Sequence, residues 1–371
     1  MLRRRSLSRP SLARRSRCRR AHQRDGDRTC CPRPVITGIA RVLGTYFTRL
    51  SDSISDAWNS FWFQKESPRT VSILRIVAGI VALIYAFSFT SELAIWFSDG
   101  GVLPYARTLR LTGADDPTNR IYYWSVFYFA HSQLYLYLLH ATGLISILMF
   151  TVGFQTRIAA IVATVFVISY AQRAPMLTGL VEPLLCPVML YLCLAPCGAY
   201  FSVDAWLRDR RRTVPVPDSF LAHLAVRLVQ VHVSMFYLML AFAKLGNNVW
   251  WNGQAMWWLI AQPDTRLVDL TFLRANGLPT LVFAWTHLVV LFELVFGLFI
   301  WVRILRPLLA IVATIHWIAL GLVTGHWVFA ILMIGLSLAF APLEVLTAKS
   351  ETSSPANNKA TQTPEPVGSG V

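Results

Sequence analysis

Residues 227–253, RLVQVHVSMFYLMLAFAKLGNNVWWNG, decide how the chain is read. The stretch is long and apolar enough to cross a hydrocarbon core of about 30 Å. Yet Arg227, Gln230, Ser234, Tyr237, Ala241 and Lys244 recur at steps of three and four, which gathers them into one stripe on an α-helix. Polar groups inside a membrane are costly and face a bundle interior or a wet cavity rather than lipid. The stripe runs up to Lys244, and a tryptophan-rich turn follows with Trp250, Trp251, Gly253, Trp257 and Trp258.

The rest of the chain agrees with a membrane setting. Its 371 residues are 55% hydrophobic and only 14% charged, a balance that excludes ordinary soluble and disordered classes. Short alternating segments of the β-barrel kind are absent. The expected fold is an all-α polytopic membrane protein with about eight transmembrane helices and an N-terminal amphipathic interfacial helix. The formal charge is +15, and ten of those charges fall in residues 1–34, where twelve Arg stand against two Asp. That tail reads as disordered and as a cytoplasmic topology signal. A nucleic-acid role and an over-extended gene start are the other readings, and no nucleic-acid partner is expected of the membrane body. The six cysteines form neither a disulfide framework nor a zinc pattern, and no metal is expected.

In chain order, residues 35–66 carry Ile36, Ile39, Leu43, Phe47, Leu50, Ile54, Trp58, Phe61 and Trp62 in a three-four rhythm. This fits an amphipathic helix in the membrane interface or one packed on the bundle's cytoplasmic face. The transmembrane domain is expected over 67–346. Its spans lie near 72–93, within 122–152 after an aromatic interfacial segment, and near 156–172, 178–200, 222–245, 280–302, 305–324 and 327–346. A polar connection at 94–121, an Arg-rich linker at 203–219 and the Trp-rich connection at 246–279 separate them. Residues 347–371 read as a disordered tail. Arginines concentrate in alternate connections, which predicts a multi-pass protein of the inner (plasma) membrane with both termini cytoplasmic and Lys244 at the outward end.

Lysine is scarce, and Lys244 alone falls within the membrane body, the others being Lys65, Lys349 and Lys359. One reading is a lysine snorkelling at a helix end. The other is a desolvated amine acting as a general base, with Tyr237, Ser234 and Gln230 as its supporting stripe. Glu182, Glu293 and His316 are candidate acid/base or orienting groups, because a buried carboxylate needs a partner or a proton. Glu182 is expected near Lys244 in depth. Trp250 and Trp251 are candidate substrate-lining residues, or interface anchors. The other membrane histidines, His131, His140, His223, His232 and His326, match no metal motif.

The run Tyr237-x-x-x-Ala241-x-x-Lys244-Leu245, followed by Trp250 or Trp251 and Gly253, resembles the membrane domain of vitamin K-dependent gamma-carboxylase, shared with the bacterial HTTM family. Leu74-Arg75-Ile76, Phe201-Ser202-Val203-Asp204 and Arg306-Pro307 with His316 are similar too, and the resemblance spans roughly 67–345. It implies a lysine base, matched by Lys244, that deprotonates reduced vitamin K or menaquinol. Oxygen then converts the quinol to an epoxide through a strongly basic alkoxide, which removes the γ-proton of a glutamate before carbon dioxide adds. The chain departs from the carboxylase in having Phe242 before the lysine turn, Val181 and Glu182 where the carboxylase has a histidine, and only a short polar segment after the last span.

The leading expectation is therefore a lipid or quinol enzyme, carboxylase-like, with a lipid-soluble quinol and a peptide or protein as candidate substrates. The rival is a non-catalytic membrane protein that supports maturation, export or immunity for a peptide. A transporter would show inverted repeats or paired broken helices, which the sequence lacks.

Overall fold

The computed structural model of the chain describes residues 35–119, 123–211, 216–263, 266–275 and 278–341. The tails expected at 1–34 and 347–371, and the last residues of the eighth expected span, lie outside the described residues. The chain divides into two units, Met1–Trp58 and Asn59–Val371.

Helix α1, Val35–Trp62, covers the expected amphipathic stretch. Tyr46, Phe47, Leu50, Ile54 and Trp58 are all exposed along it.

The second unit is all-helical. The long helices are α2 (Arg69–Ser88), α5 (Gln133–Val152), α6 (Thr156–Arg173), α9 (Phe220–Leu245), α13 (Pro279–Phe299) and α14 (Arg306–Thr324), with shorter α7 (Glu182–Leu194) and α15 (Trp327–Ser337). Five of them, α2, α5, α9, α13 and α14, are long and apolar enough to cross a membrane. This is the construction of a multi-pass helical membrane protein. The other three helices occupy expected span positions without meeting that length and hydropathy. Arg157 and Arg173 sit within α6, and α7 is cut short of the expected 178–200. Pro183 opens α7, which runs on through Pro187; the helix ends at Leu194, two residues before Pro196. Proline removes a backbone donor and disfavours helix in the residue before it.

The connections are not structureless. Residues 94–121 contain α4 (Tyr105–Thr112) and most of α3 (Leu93–Phe97), while 246–279 contains α10 (Asn248–Trp251), α11 (Ala255–Ala261) and α12 (Phe272–Ala275). The aromatic segment ahead of α5 is a short 3-10 turn, Val126–Phe129. Backbone polar groups buried away from water need protein partners. Buried arginines supply that need at both ends of the bundle. Arg173 donates to the carbonyls of Phe97 and Leu103, each at 2.8 Å, and to Thr108 Oγ1 at 3.0 Å, tying α3 and α4 to the end of α6. Arg75, fully buried in α2, donates to the carbonyls of Cys197 and Phe201 beyond α7. Asp204, in α8 (Val203–Arg210), accepts from the amides of Gln155 and Thr156 and so caps the start of α6.

Helices in lipid are held by close packing and small residues at their contacts. Gly297 of α13 lies against Leu238 and the Ser234 carbonyl of α9, and Gly335 of α15 against Val77 of α2; an added Cβ would collide at either position. The helices alternate in direction. One end of the bundle therefore gathers Arg157, Arg208, Arg303 and Arg306, while the other carries balanced charge around α3–α4 and α10–α12.

Candidate functional site

Antiparallel packing of α9 and α13 builds the site. Tyr237 stacks on Phe296 with ring centroids 3.9 Å apart, and Ser234 Oγ donates to the Gly297 carbonyl at 2.7 Å. By that register Lys244 stands more than a turn beyond the backbone level of Glu293. The gap is closed because Cβ atoms lean toward the N-terminus of their own helix. Lys244, near the C-terminal end of α9, leans into the bundle, and Glu293 leans outward to meet it. Nζ reaches both carboxylate oxygens, at 2.6 and 2.7 Å. The side chain of Lys244 is 17% exposed and that of Glu293 is 1% exposed. The snorkelling alternative therefore fails in its direction, since the amine turns inward.

The Trp250 ring covers the ammonium at 5.1 Å, within cation–π range. Lys244 and Glu293 line a mostly apolar cavity of about 210 Å³, together with Leu240, Trp250, Trp317 and Phe329. Thr324 and exposed His326 line it too, from the turn that joins α14 to α15, and Leu180 closes the side toward α7. Trp317 is held by donating Nε1–H to the Tyr237 hydroxyl at 2.6 Å. His316 packs on Phe292 with centroids 4.7 Å apart, and its buried Nε2 has no hydrogen-bond partner among the described residues.

The expected site residues thus divide. Lys244, Glu293 and Trp250 converge on the cavity, Tyr237 supports it from behind, and His316 flanks it. Glu182 does not join them. It lies at the same end of the bundle, but its carboxylate turns back to accept from the Gly179 amide at 2.8 Å and faces Tyr85. Trp251 is 60% exposed and donates to the Leu245 carbonyl, so it lines nothing at this site. Ser234 and Gln230 lie on the buried face as expected, but they serve other contacts. Ser234 joins α9 to Gly297 and Trp301, and Gln230 donates to the Ala339 carbonyl far from Lys244. One stripe serves several purposes because α9 crosses the whole bundle. Trp317, Thr324 and Phe329 were missed; the one available signal was the position of Trp317 beside His316.

Among the described residues no group of three or more His, Cys, Asp or Glu is placed to hold a metal ion. Compared with known proteins, the chain matches no family model, no curated protein and no solved structure.

Proposed function

We propose that the chain is a membrane enzyme acting on a lipid-soluble hydroxyl compound of the reduced quinol type, with Lys244 as the base and Glu293 as its proton partner. The observation that carries the reading is an ion pair set in the wall of an apolar, aromatic-lined cavity inside a helical bundle. Buried, paired charges of this kind in membrane spans mark functional sites more often than lipid-facing surface.

An ammonium cannot accept a proton, so the pair matters as a unit. Shifting one proton from Nζ to the carboxylate along the short N···O line leaves the net charge unchanged. The uncharged form avoids the cost of holding two ions out of water. In that form Nζ offers a lone pair to a hydroxyl in the cavity. The hydroxyl proton passes to Nζ, the new ammonium faces the oxyanion, and Glu293 keeps its own proton. Trp250 and Trp317 make part of the cavity wall aromatic, and the unpaired His316 nitrogen is a second group able to exchange a proton nearby. The cavity is smaller than the roughly 300–1,000 Å³ of drug-sized sites, which suits a single ring system with its tail in lipid. A bound reduced quinol, vitamin K hydroquinone or menaquinol, would supply the ionisable hydroxyl and the electrons that oxygen takes up. The resemblance to the gamma-carboxylase domain and the HTTM family supports this chemistry. The charge asymmetry of the two bundle ends supports an inner-membrane protein with cytoplasmic termini and Lys244 outward.

The two-oxygen grip of Glu293 on Lys244 also favours a second reading, a non-catalytic bundle, supporting a peptide's maturation, export or immunity, in which the pair only joins α9 to α13. Oxygen uptake separates the two. Purified full-length protein is expected to consume oxygen with menaquinol or vitamin K hydroquinone, and Lys244→Ala to lower the rate at least 100-fold while the protein stays folded. Equal inertness of wild type and variant with both quinols would sink the enzymatic reading.

A further inference from the structure

The opposite end of α9 holds a second cavity of about 500 Å³, which the chemistry at Lys244 does not use. Arg227 and Lys244 are 17 residues apart on one helix, which separates the two sites by roughly 26 Å. Lys65, Arg227, Arg303 and Arg306 line this second cavity, against a single carboxylate, Glu66. That carboxylate is engaged by His223 Nδ1 at 2.7 Å. Arg227 is fixed over the Phe61 ring at 4.7 Å and donates to Gln230 Oε1 at 2.9 Å and to His223 Nε2 at 3.3 Å. Arg306 is fixed by the carbonyls of Ile300 and Trp301 at the end of α13. A guanidinium carries five N–H donors in a rigid fork. Each of these two spends at most two on the protein and keeps the rest for a ligand. Lys65 and Arg303 are exposed and meet no carboxylate among the described residues.

Four cations facing one carboxylate leave the concavity net positive, and an added anion relieves the repulsion among them. Guanidinium forks match phosphate oxygens in geometry as well as charge. The cavity opens at the end of a bundle whose long helices are built to cross a membrane, where basic pockets between helices meet phospholipid head groups.

We propose that this cavity binds a phosphate-bearing anion, supplied as the head group of an anionic phospholipid or as free phosphate. Fixed Arg227 and Arg306 form its base, and Lys65 and Arg303 close over it.

The test uses the full chain in a zwitterionic detergent, with thermal unfolding and native mass spectrometry as readouts. Dioleoylphosphatidylglycerol in mixed micelles and inorganic phosphate are the two probes, and dioleoylphosphatidylcholine is the neutral control. One retained phosphatidylglycerol per chain and an upward shift in unfolding temperature are expected, or the same shift from inorganic phosphate if the soluble anion is the ligand. Lys65→Gln with Arg303→Gln, both exposed positions that should not disturb folding, is expected to lower retention or raise the half-saturating phosphate concentration at least tenfold. Arg110→Gln, at the far end of the bundle, should change neither. No response to either anion, or a response undiminished in the Lys65/Arg303 variant, would overturn the proposal.

Discussion

Breaking the Lys244–Glu293 pair from each side, and then from both, gives a result that a chance contact could not. At the 2.6 Å separation of Nζ and Oε1, an effective dielectric of about 20 gives a gross attraction of about 6 kcal/mol. Desolvation of the two ions offsets several kcal/mol of it. Removing one partner, however, forfeits the attraction and leaves the desolvation in place. Lys244→Met strands a carboxylate that is 1% exposed, and a cost of about 4 kcal/mol is expected, within the range for halved buried pairs. Glu293→Leu strands an ammonium on the last turn of α9, which can swing outward, and about 3 kcal/mol is expected. The double variant removes both charges together and should cost much less than the sum, a coupling of about 3 kcal/mol. Unfolding of the full chain in mixed micelles by titrated sodium dodecyl sulfate, followed by tryptophan fluorescence, reads all four corners. If the single costs add to within about 0.5 kcal/mol, the two side chains do not meet, and the account of the site fails with them.

Two further outcomes test the frame around the site. Arg173→Met leaves three acceptors on Phe97, Leu103 and Thr108 without their donor. It should cost about 3 kcal/mol and speed amide exchange selectively across α3 and α4; Arg173→Lys should not restore protection, because an ammonium lacks the planar fork. In the connection before α12, Asp269 accepts from the Thr271 hydroxyl at 2.6 Å and its amide at 2.9 Å. Those bonds, with Arg266 beside it, hold the carboxyl below its ordinary range. A lowered value means the turn gains stability above the unfolded carboxyl's pKa and loses it only as pH falls through the folded one. Thr271→Val should move the carboxyl's NMR titration midpoint upward, and an unchanged midpoint would refute that cause.

Much of the fold was legible because hydropathy runs report directly on helices that face lipid. The long runs at 72–93, 222–245, 280–302 and 305–324 each contain a long helix at nearly those bounds. Where the reading went astray, proline and polar loop chemistry were responsible. Pro183 at its start and Pro196 beyond its end confine α7 within its apolar run, and the turns holding α3, α4, α10 and α11 carry no periodicity long enough to see. The site was half legible. Lys244 announced itself by rarity and position, and the polar stripe named the correct face of α9. Its partner could not be chosen between Glu182 and Glu293 until the antiparallel register of α9 and α13 was known. The lean of Cβ toward each helix's own start then selects Glu293. Gln230 and Ser234 share that face but lie too many turns away, a distance that a helical wheel hides.

Arg75 gives the bundle an order of events. The carbonyls that receive its guanidinium belong to Cys197 and Phe201, more than 120 residues downstream. A ribosome delivers α2 to the bilayer long before either acceptor has been synthesised. Until then the guanidinium, near the start of α2, has no protein acceptor and stays hydrated by reaching toward the near surface. The buried seat of Arg75 is complete only once the turn after α7 is in place, so substitutions that disturb that turn are expected to be felt at the start of α2.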